Sequence, residues 1–386
     1  MGWAMDKDKT RGGAAHVRLF SGRLENRNPV SISTPNPSDV VLAPAIAEAK
    51  ITQIRHIALE GRGTDTGMLR AGELGAVYGL GEVRVGDILG DATALPRRFG
   101  NGSIGTPLLM VKAVPEDLGE QNALRAALTL LSAEDPTLGM ETLAGALHVR
   151  VMGAIQLEVL TELLHTRFGL RVQFGAPNVI YRETIARPAV GFFAYTMPKP
   201  CWAVIKFEME PLPRGSGIEF ASVVPAREIM PRYQHQIEQA LPLALRQGML
   251  GWRVDDVRIT LVGGEHHLEH THPLDFMLAT PVALMDGPKR GGTVLLEPIV
   301  TLRMSIPEGS LGRLISEIAL MRGEVLSTER AGDRMQLAAD VPLATSVDFS
   351  TRLSSITSGK GSLSVRLSGY RACETKPMPV CPRQGV

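Results

Sequence analysis

Hydrophobic positions change their period along this chain, and the changes mark out its parts. From Ala15 to about Asp91, short apolar runs such as His16 to Phe20, Ile51 to Ile54 and Gly75 to Leu80 are separated by Gly, Asn and Pro. Brief strands joined by turns give that pattern, and it predicts an all-β barrel. From Pro107 the period lengthens. Leu108 to Ala113 reads as a strand, and Asn122 to Ala133 carries Ala and Leu at helical spacing until Asp135-Pro136 stops it. His148 to Met152 is a strand again. Ile155 to Phe168 then predicts a helix with Ile155, Val159, Leu160, Leu163 and Leu164 on one face, before a last strand at Leu170 to Phe174. This order is the split β-α-β arrangement of a ferredoxin-like domain.

A third unit opens with strands at Gly191 to Thr196 and Trp202 to Glu210, turns at Pro211 to Gly217, and becomes helical from Glu228 to Gln247. A strand at Val257 to Val262 runs into a polar, histidine-rich loop, Gly263 to Pro273, and a helix follows through Ala283. The fourth unit repeats β-α-β-β-α-β from Val300 to Leu367. The expected fold is therefore multidomain, a β-barrel followed by α+β domains, with two ferredoxin-like units flanking an elongated α/β domain. The boundaries fall at residues 1–94, 105–183, 184–298 and 299–386, the Pro- and Gly-rich stretch from Ala94 to Pro107 serving as linker.

Charge narrows the partners. Forty-one Lys and Arg against 40 Asp and Glu leave a net charge of +1, so any nucleic-acid contact has to be local. Cys201, Cys373 and Cys381 are odd in number and widely spaced, which fits a reducing cytoplasm better than a disulfide framework or a zinc knuckle. No run of apolar residues is long enough to cross a membrane as a helix, and the first residues hold no secretory core. A phosphate-cradling G-x-x-x-x-G-K-[ST] loop is absent: the string Gly359 to Ser362 has no upstream glycine at the right distance, and Gly72, Gly75, Gly79 and Gly81 precede no helix. No nucleotide-binding or catalytic residue is assigned, and Cys201 beside Trp202 reads as packing rather than a nucleophile.

His266, His267, His270 and His272 crowd one loop. Such a cluster is open to three readings: a metal site, an RNA-facing loop, or plain surface histidines. Imidazoles this close in a loop cannot all ligate one ion without supporting carboxylates, so no metal is expected, and the residues alone leave the RNA-facing and plain-surface readings open.

Several longer strings resemble one family. Ser132 to Leu138 (SAEDPTL), Met152 to Leu164 (MGAIQLEVLTELL) and Pro177 to Ile185 (PNVIYRETI) look like the third domain of elongation factor G, and Pro211 to Gly217 (PLPRGSG) like its fourth. Pro198 to Ala203, Gly251 to Leu261 and Gly369 to Gln384 are more similar to the ribosomal-protection tetracycline-resistance proteins of the same superfamily. The resemblance covers roughly residues 10 to 384 and corresponds to domains II to V, without the G domain. GTP and Mg²⁺ would belong to that domain, so no cofactor is expected in this chain. The barrel looks clipped, with Met1 to Met5 standing where the family has its first strand.

What the resemblance implies is a monomer that binds the ribosome and displaces tetracycline; the alternatives are an elongation factor G paralogue in translation, or a remnant without activity of its own. The fourth domain of the family reaches the decoding-region RNA of the small subunit with its tip loops. That places Pro198, Lys199, Pro200, Cys201, Trp202, Arg227, His266, His267, Leu268, Glu269, His270 and Thr271 at the tip, with His267 at a stacking position. Glu269 carries the wrong charge to approach phosphate. The fifth domain meets the large-subunit GTPase centre, which makes Arg322 and Lys360 contact candidates. Arg18, Arg23, Arg167, Arg171 and Arg182 are weaker candidates for phosphate contacts.

Overall fold

The structure, a computed structural model, describes residues 2–8, 12–33, 46–56, 65–80, 83, 85–91, 107–135, 137–196, 202–374 and 379–381. They divide into two compact units, one of residues 1–37 and 43–177 and the other of residues 178–386.

The first unit begins with nine short strands: β1 (Gly2–Asp8), β2 (Gly12–Arg18), β3 (Arg23–Glu25), β4 (Pro29–Ser33), β5 (Ile46–Lys50), β6 (Gln53–His56), β7 (Met68–Arg70), β8 (Leu74–Tyr78) and β9 (Ile88–Leu89). They form three sheets, ordered β1-β2-β8-β6, β3-β7 and β5-β4-β9. Alternate positions point into one core built from Val17, Leu24, Ile32, Ile54, Leu69 and Val77, the period-2 burial that the sequence predicts. Among the described residues the ladders do not close into a single ring. Gly79, at φ +90°, is required where the chain turns beside Lys50, because a Cβ there would lie 2.7 Å from that residue's carbonyl oxygen.

One expectation changes here. The sequence predicts a barrel without its first strand, yet Gly2 to Asp8 pairs antiparallel with β2 along its length, Ala4 opposite His16 and Asp8 opposite Gly12. By resemblance, Met1 to Met5 only stands in the place of the family's first strand. The backbone of Gly2 to Asp8 nonetheless caps the edge of β2, whose N–H and C=O groups would otherwise stay open on that side.

The ferredoxin-like part of this unit runs β10 (Leu109–Pro115), α1 (Gln121–Glu134), β11 (Gly139–Leu143), β12 (Ala146–Val151), α2 (Ala154–Phe168) and β13 (Val172–Phe174), with sheet order β11-β12-β10-β13. Helix α1 buries Leu124, Ala127, Leu128 and Leu131, one stripe at helical spacing. Helix α2 buries only Leu160 and Leu164, while Ile155, Val159 and Leu163 are exposed. The predicted single face is thus two adjacent stripes, and the sheet covers one of them. The strings around Asp135 and Gln156 join: Asp135 Oδ1 accepts the Thr137 N–H at 2.8 Å, and the Gln156 amide donates to Asp135 Oδ2 and to Thr137 Oγ1, both at 2.9 Å.

The second unit starts with β14 (Asn178–Val179), β15 (Arg182–Ile185), β16 (Ala189–Tyr195), β17 (Ala203–Pro211), β18 (Ile218–Ser222), α3 (Pro231–Ala244), β19 (Arg253–Val254), β20 (Val257–Glu265) and α4 (Asp275–Gly291). Strands β16-β17-β20-β18 make a four-stranded sheet, with β18 and β20 parallel across the α3 crossover. Phe207, Ile205, Ile259, Leu261, Ile237, Leu241, Phe276 and Ala283 fill the space between this sheet and the two helices. At one end of the sheet, the buried Asp256 holds the Pro211 to Gly217 turn, its Oδ1 accepting from Gly215 at 3.0 Å and Gly217 at 3.1 Å. The motif in that turn is therefore a structural clip.

The rest of the unit is β21 (Thr293–Pro307), α5 (Leu311–Leu320), β22 (Glu324–Ala331), β23 (Arg334–Pro342), α6 (Phe349–Thr357) and β24 (Ser362–Ala372). β21 pairs with β15 near its start, with β23 from Ile299 onward, and with β24 from Leu296 to Ser305. The boundary read at residue 298 therefore lies inside one continuous strand. Pro298 suggests a break by its residue type, but it sits where the run of apolar positions continues on both sides.

Candidate nucleic-acid interface

Strand register brings three loops to the end of the four-stranded sheet opposite the Asp256 clip. Tyr195 faces Ala203, Val204 faces Glu265, and Ser222 faces Leu261, so the connections after β16, β18 and β20 all emerge there. Of the predicted tip residues, Pro198, Lys199, Pro200 and Cys201 lie outside the described residues.

Trp202, His267 and His270 come together as a stack of rings. The two imidazoles lie 4.4 Å apart at 28°, and the indole sits 5.2 Å from His267 and 6.4 Å from His270. The backbone fixes this arrangement. His267 Nδ1 accepts the N–H groups of Glu269 (3.2 Å) and His270 (3.3 Å), which puts the ring proton on Nε2. Thr271 Oγ1 accepts the His267 N–H and donates to the Trp202 carbonyl, both at 2.8 Å. Beneath them Asp275, 6% exposed, accepts the N–H groups of Trp202 (3.1 Å) and His272 (2.8 Å) on a single carboxylate oxygen. One residue at the first turn of α4 thereby joins two loops some seventy residues apart.

The four histidines do not converge on one point: His267 and His270 stack on each other, and the other two turn to separate partners. His266 donates from Nδ1 to the Glu228 carbonyl at 2.8 Å and packs against Tyr233, while His272 approaches Asp275 at 3.8 Å. Among the described residues no group of three or more His, Cys, Asp or Glu side chains is placed to hold a metal ion. Leu268, at 81% exposure, and Glu269 form the apex of the loop, and Arg227 is exposed on the neighbouring one. Sequence reasoning found the rings but missed the roles of Asp275 and Thr271. Asp275 is legible only as a helix-start carboxylate, a common feature that does not say what it binds.

The fifth-domain candidates separate. Lys360 is exposed on the turn after α6. Arg322 instead forms two bonds with Glu297, at 3.1 and 2.8 Å, and that carboxylate is 1% exposed and also receives Arg371 at 3.2 Å. Hydrogen bonding to Glu297 raises the Arg322 pKa above its ordinary value; the guanidinium, partly exposed, is tied to that carboxylate from a left-handed turn, φ +61°. Arg182 is likewise engaged, paired with Asp255 and seated 4.2 Å over the Tyr370 ring, and Arg167 makes two 2.6 Å bonds to Glu134.

Family models match the chain in order: Elongation Factor G domain III at residues 104–176, Elongation factor G domain IV at 177–292, and Elongation factor G C-terminus at 294–380. The chain belongs to the elongation factor G superfamily. Among curated relatives it is 31% identical over 363 residues to the tetracycline resistance protein TetP of Clostridium perfringens, covering 92% of this chain and 53% of TetP. A crystal structure of a protein from Thermus thermophilus aligns with a TM-score of 0.57 at 24% identity, over 96% of this chain and 55% of that one. The second likeness speaks to the fold. The chain spans about half the length of the curated relative it matches. The ring stack lies within the domain IV match, and the Glu297 cluster within the C-terminal one. No helix among the described residues is long and apolar enough to cross a membrane.

Proposed function

We propose that this chain is the ribosome-engaging portion of a translation factor of the ribosomal-protection type, and that its domain IV tip enters the small-subunit decoding region and displaces tetracycline. The observation that carries this reading is the backbone-braced stack of Trp202, His267 and His270 at the end of a stiff sheet. Flat rings held in place lose little entropy when an unpaired base stacks on them, and each such contact is worth about 1–3 kcal/mol. Lys360 on its exposed turn is the candidate contact with the large-subunit GTPase centre. GTP and Mg²⁺ chemistry lies outside this chain, which on its own binds neither.

The test is sedimentation of the protein with ribosomes across a salt series, with and without tetracycline. His267→Ala weakens binding by roughly 5- to 150-fold, the range set by one stacked base. Glu269→Gln leaves it equal or tighter, with a gain that shrinks as salt rises because a carboxylate near phosphate is repelled. Unchanged affinity for His267→Ala at every salt concentration removes the tip from the mechanism. Binding that is intact but indifferent to tetracycline favours an elongation factor G paralogue, a reading that the exposed acidic apex at Glu269 also supports. Nucleotide affinity in calorimetry would refute the placement of GTP outside the chain.

A further inference from the structure

Far from the tip, a second feature of domain IV is already occupied. The loop from Gly248 to Trp252, between α3 and β19, hangs on Glu183 of β15. That carboxylate, 1% exposed, accepts the N–H of Leu250 at 2.9 Å and of Trp252 at 2.7 Å. A Cβ on Gly248 would lie 2.5 Å from Glu183 Oε2, so the loop can close on the carboxylate only with glycine there. Tyr181 packs against the Trp252 ring at 5.3 Å.

The platform built this way receives a segment from more than a hundred residues later in the chain. The Trp252 indole N–H donates to the Pro379 carbonyl at 2.8 Å, and the Cys381 N–H donates to the Leu250 carbonyl at 2.9 Å. Gly251, at φ +84°, presents a bare backbone to the incoming chain: a Cβ there would lie 2.0 Å from the Cys381 carbonyl oxygen. Cys381 is 6% and Trp252 7% exposed. The Leu250 carbonyl as main-chain acceptor, the Trp252 indole as donor and a glycine floor are the parts of a groove that reads an extended peptide by its backbone.

We infer that Gly248 to Trp252 is a peptide-docking groove whose occupant is the chain's own Pro379 to Cys381 segment, and that the docked segment is a latch tying the end of the fifth domain to the base of the fourth. Three described residues on one loop make up the docked segment, compared with the ladder of nine paired positions between β21 and β23. The segment therefore opens well before the sheet does. The inference concerns this chain's own packing and stands independently of the ribosome reading.

The buried thiol supplies the assay. The protein is treated with iodoacetamide under native conditions, and the alkylation rate of each cysteine is followed by peptide mass spectrometry. Cys381 alkylates at least ten-fold more slowly than the half-buried Cys373. Trp252→Phe keeps a ring against Tyr181 and removes the indole donor; it speeds Cys381 about five-fold, the factor for one net hydrogen bond, and leaves Cys373 unchanged. Gly251→Ala, which fills the floor, brings Cys381 to within a factor of two or three of Cys373. Amide exchange in β21 and β23 stays at the wild-type level in both variants. Three results would overturn the latch: Cys381 as reactive as Cys373 in the wild type, Cys381 equally slow in both variants, or all cysteines accelerating together with β21 exchange.

Discussion

Replacing Asp275 with alanine tests whether the tip is a rigid platform or a set of loose loops. One oxygen of this buried carboxylate accepts two backbone N–H groups, from Trp202 and His272. Hydrogen bonds to a charged group are worth about 1.5–3 kcal/mol each, and a carboxylate in the first turn of a helix adds about 0.3–1 kcal/mol. Some of this returns when the freed donors meet water, since Trp202 is half-buried and His272 exposed. A loss of about 2–4 kcal/mol in urea unfolding is therefore expected. The local signature matters more: amide exchange at Trp202 and His272 accelerates by roughly 10- to 150-fold relative to β17, because each amide loses one bond of about 1.5–3 kcal/mol and 1.4 kcal/mol is a factor of ten. Asp275→Asn keeps one accepting oxygen without the charge and falls between. A stability change under 0.5 kcal/mol for Asp275→Ala, with unaltered exchange at both amides, would refute the account of how the ring stack is held.

Other outcomes follow from the same geometry. Glu297→Gln leaves Arg322 and Arg371 beside a neutral buried amide and lowers stability by about 1–3 kcal/mol in chemical unfolding, less than for a wholly buried pair because both guanidinium groups keep a third or more of their surface in water. Leu160→Ala costs about 2–5 kcal/mol through a cavity under α2, whereas Ile155→Ala, one stripe over and exposed, stays within about 0.5 kcal/mol; equal losses would mean that both stripes are covered. Burial, opposed by the neighbouring Arg182 guanidinium, holds the Tyr370 phenol above its usual pKa of 10.0. Its contribution to stability is thus complete below pH 10 and is lost as pH rises through the raised folded value; Tyr370→Phe flattens that part of the unfolding profile measured against pH.

Much of this architecture is a local property of the chain. Leu124, Leu128 and Leu131 at helical spacing, the alternation through Val111 and Val149, and Pro136 after α1 each act within a few residues, which is why the order of strands and helices could be read directly. The tip loops were legible for a similar reason: a polar run rich in histidine between a strand and a helix has nowhere to go but the surface. What no local pattern contains is which surface faces which. Leu160 and Ile155 have the same chemistry, and only the reach of one sheet decides that the first is buried and the second is not. Charged Gly2 to Asp8 becomes a strand because β2 presents an unpaired edge, and β21 runs through residue 298 because β15 and β24 pair on either side of it. Arg322 looked available for phosphate until the fold set Glu297 beneath it. Trp202 reaches His267 across some sixty-five residues through a β17 to β20 register that a shift of one position would destroy, since that shift turns every side chain to the other face of the sheet. Periodicity determined the elements; long-range pairing, with the burial it imposes, decided which side chains became the site and which became its support.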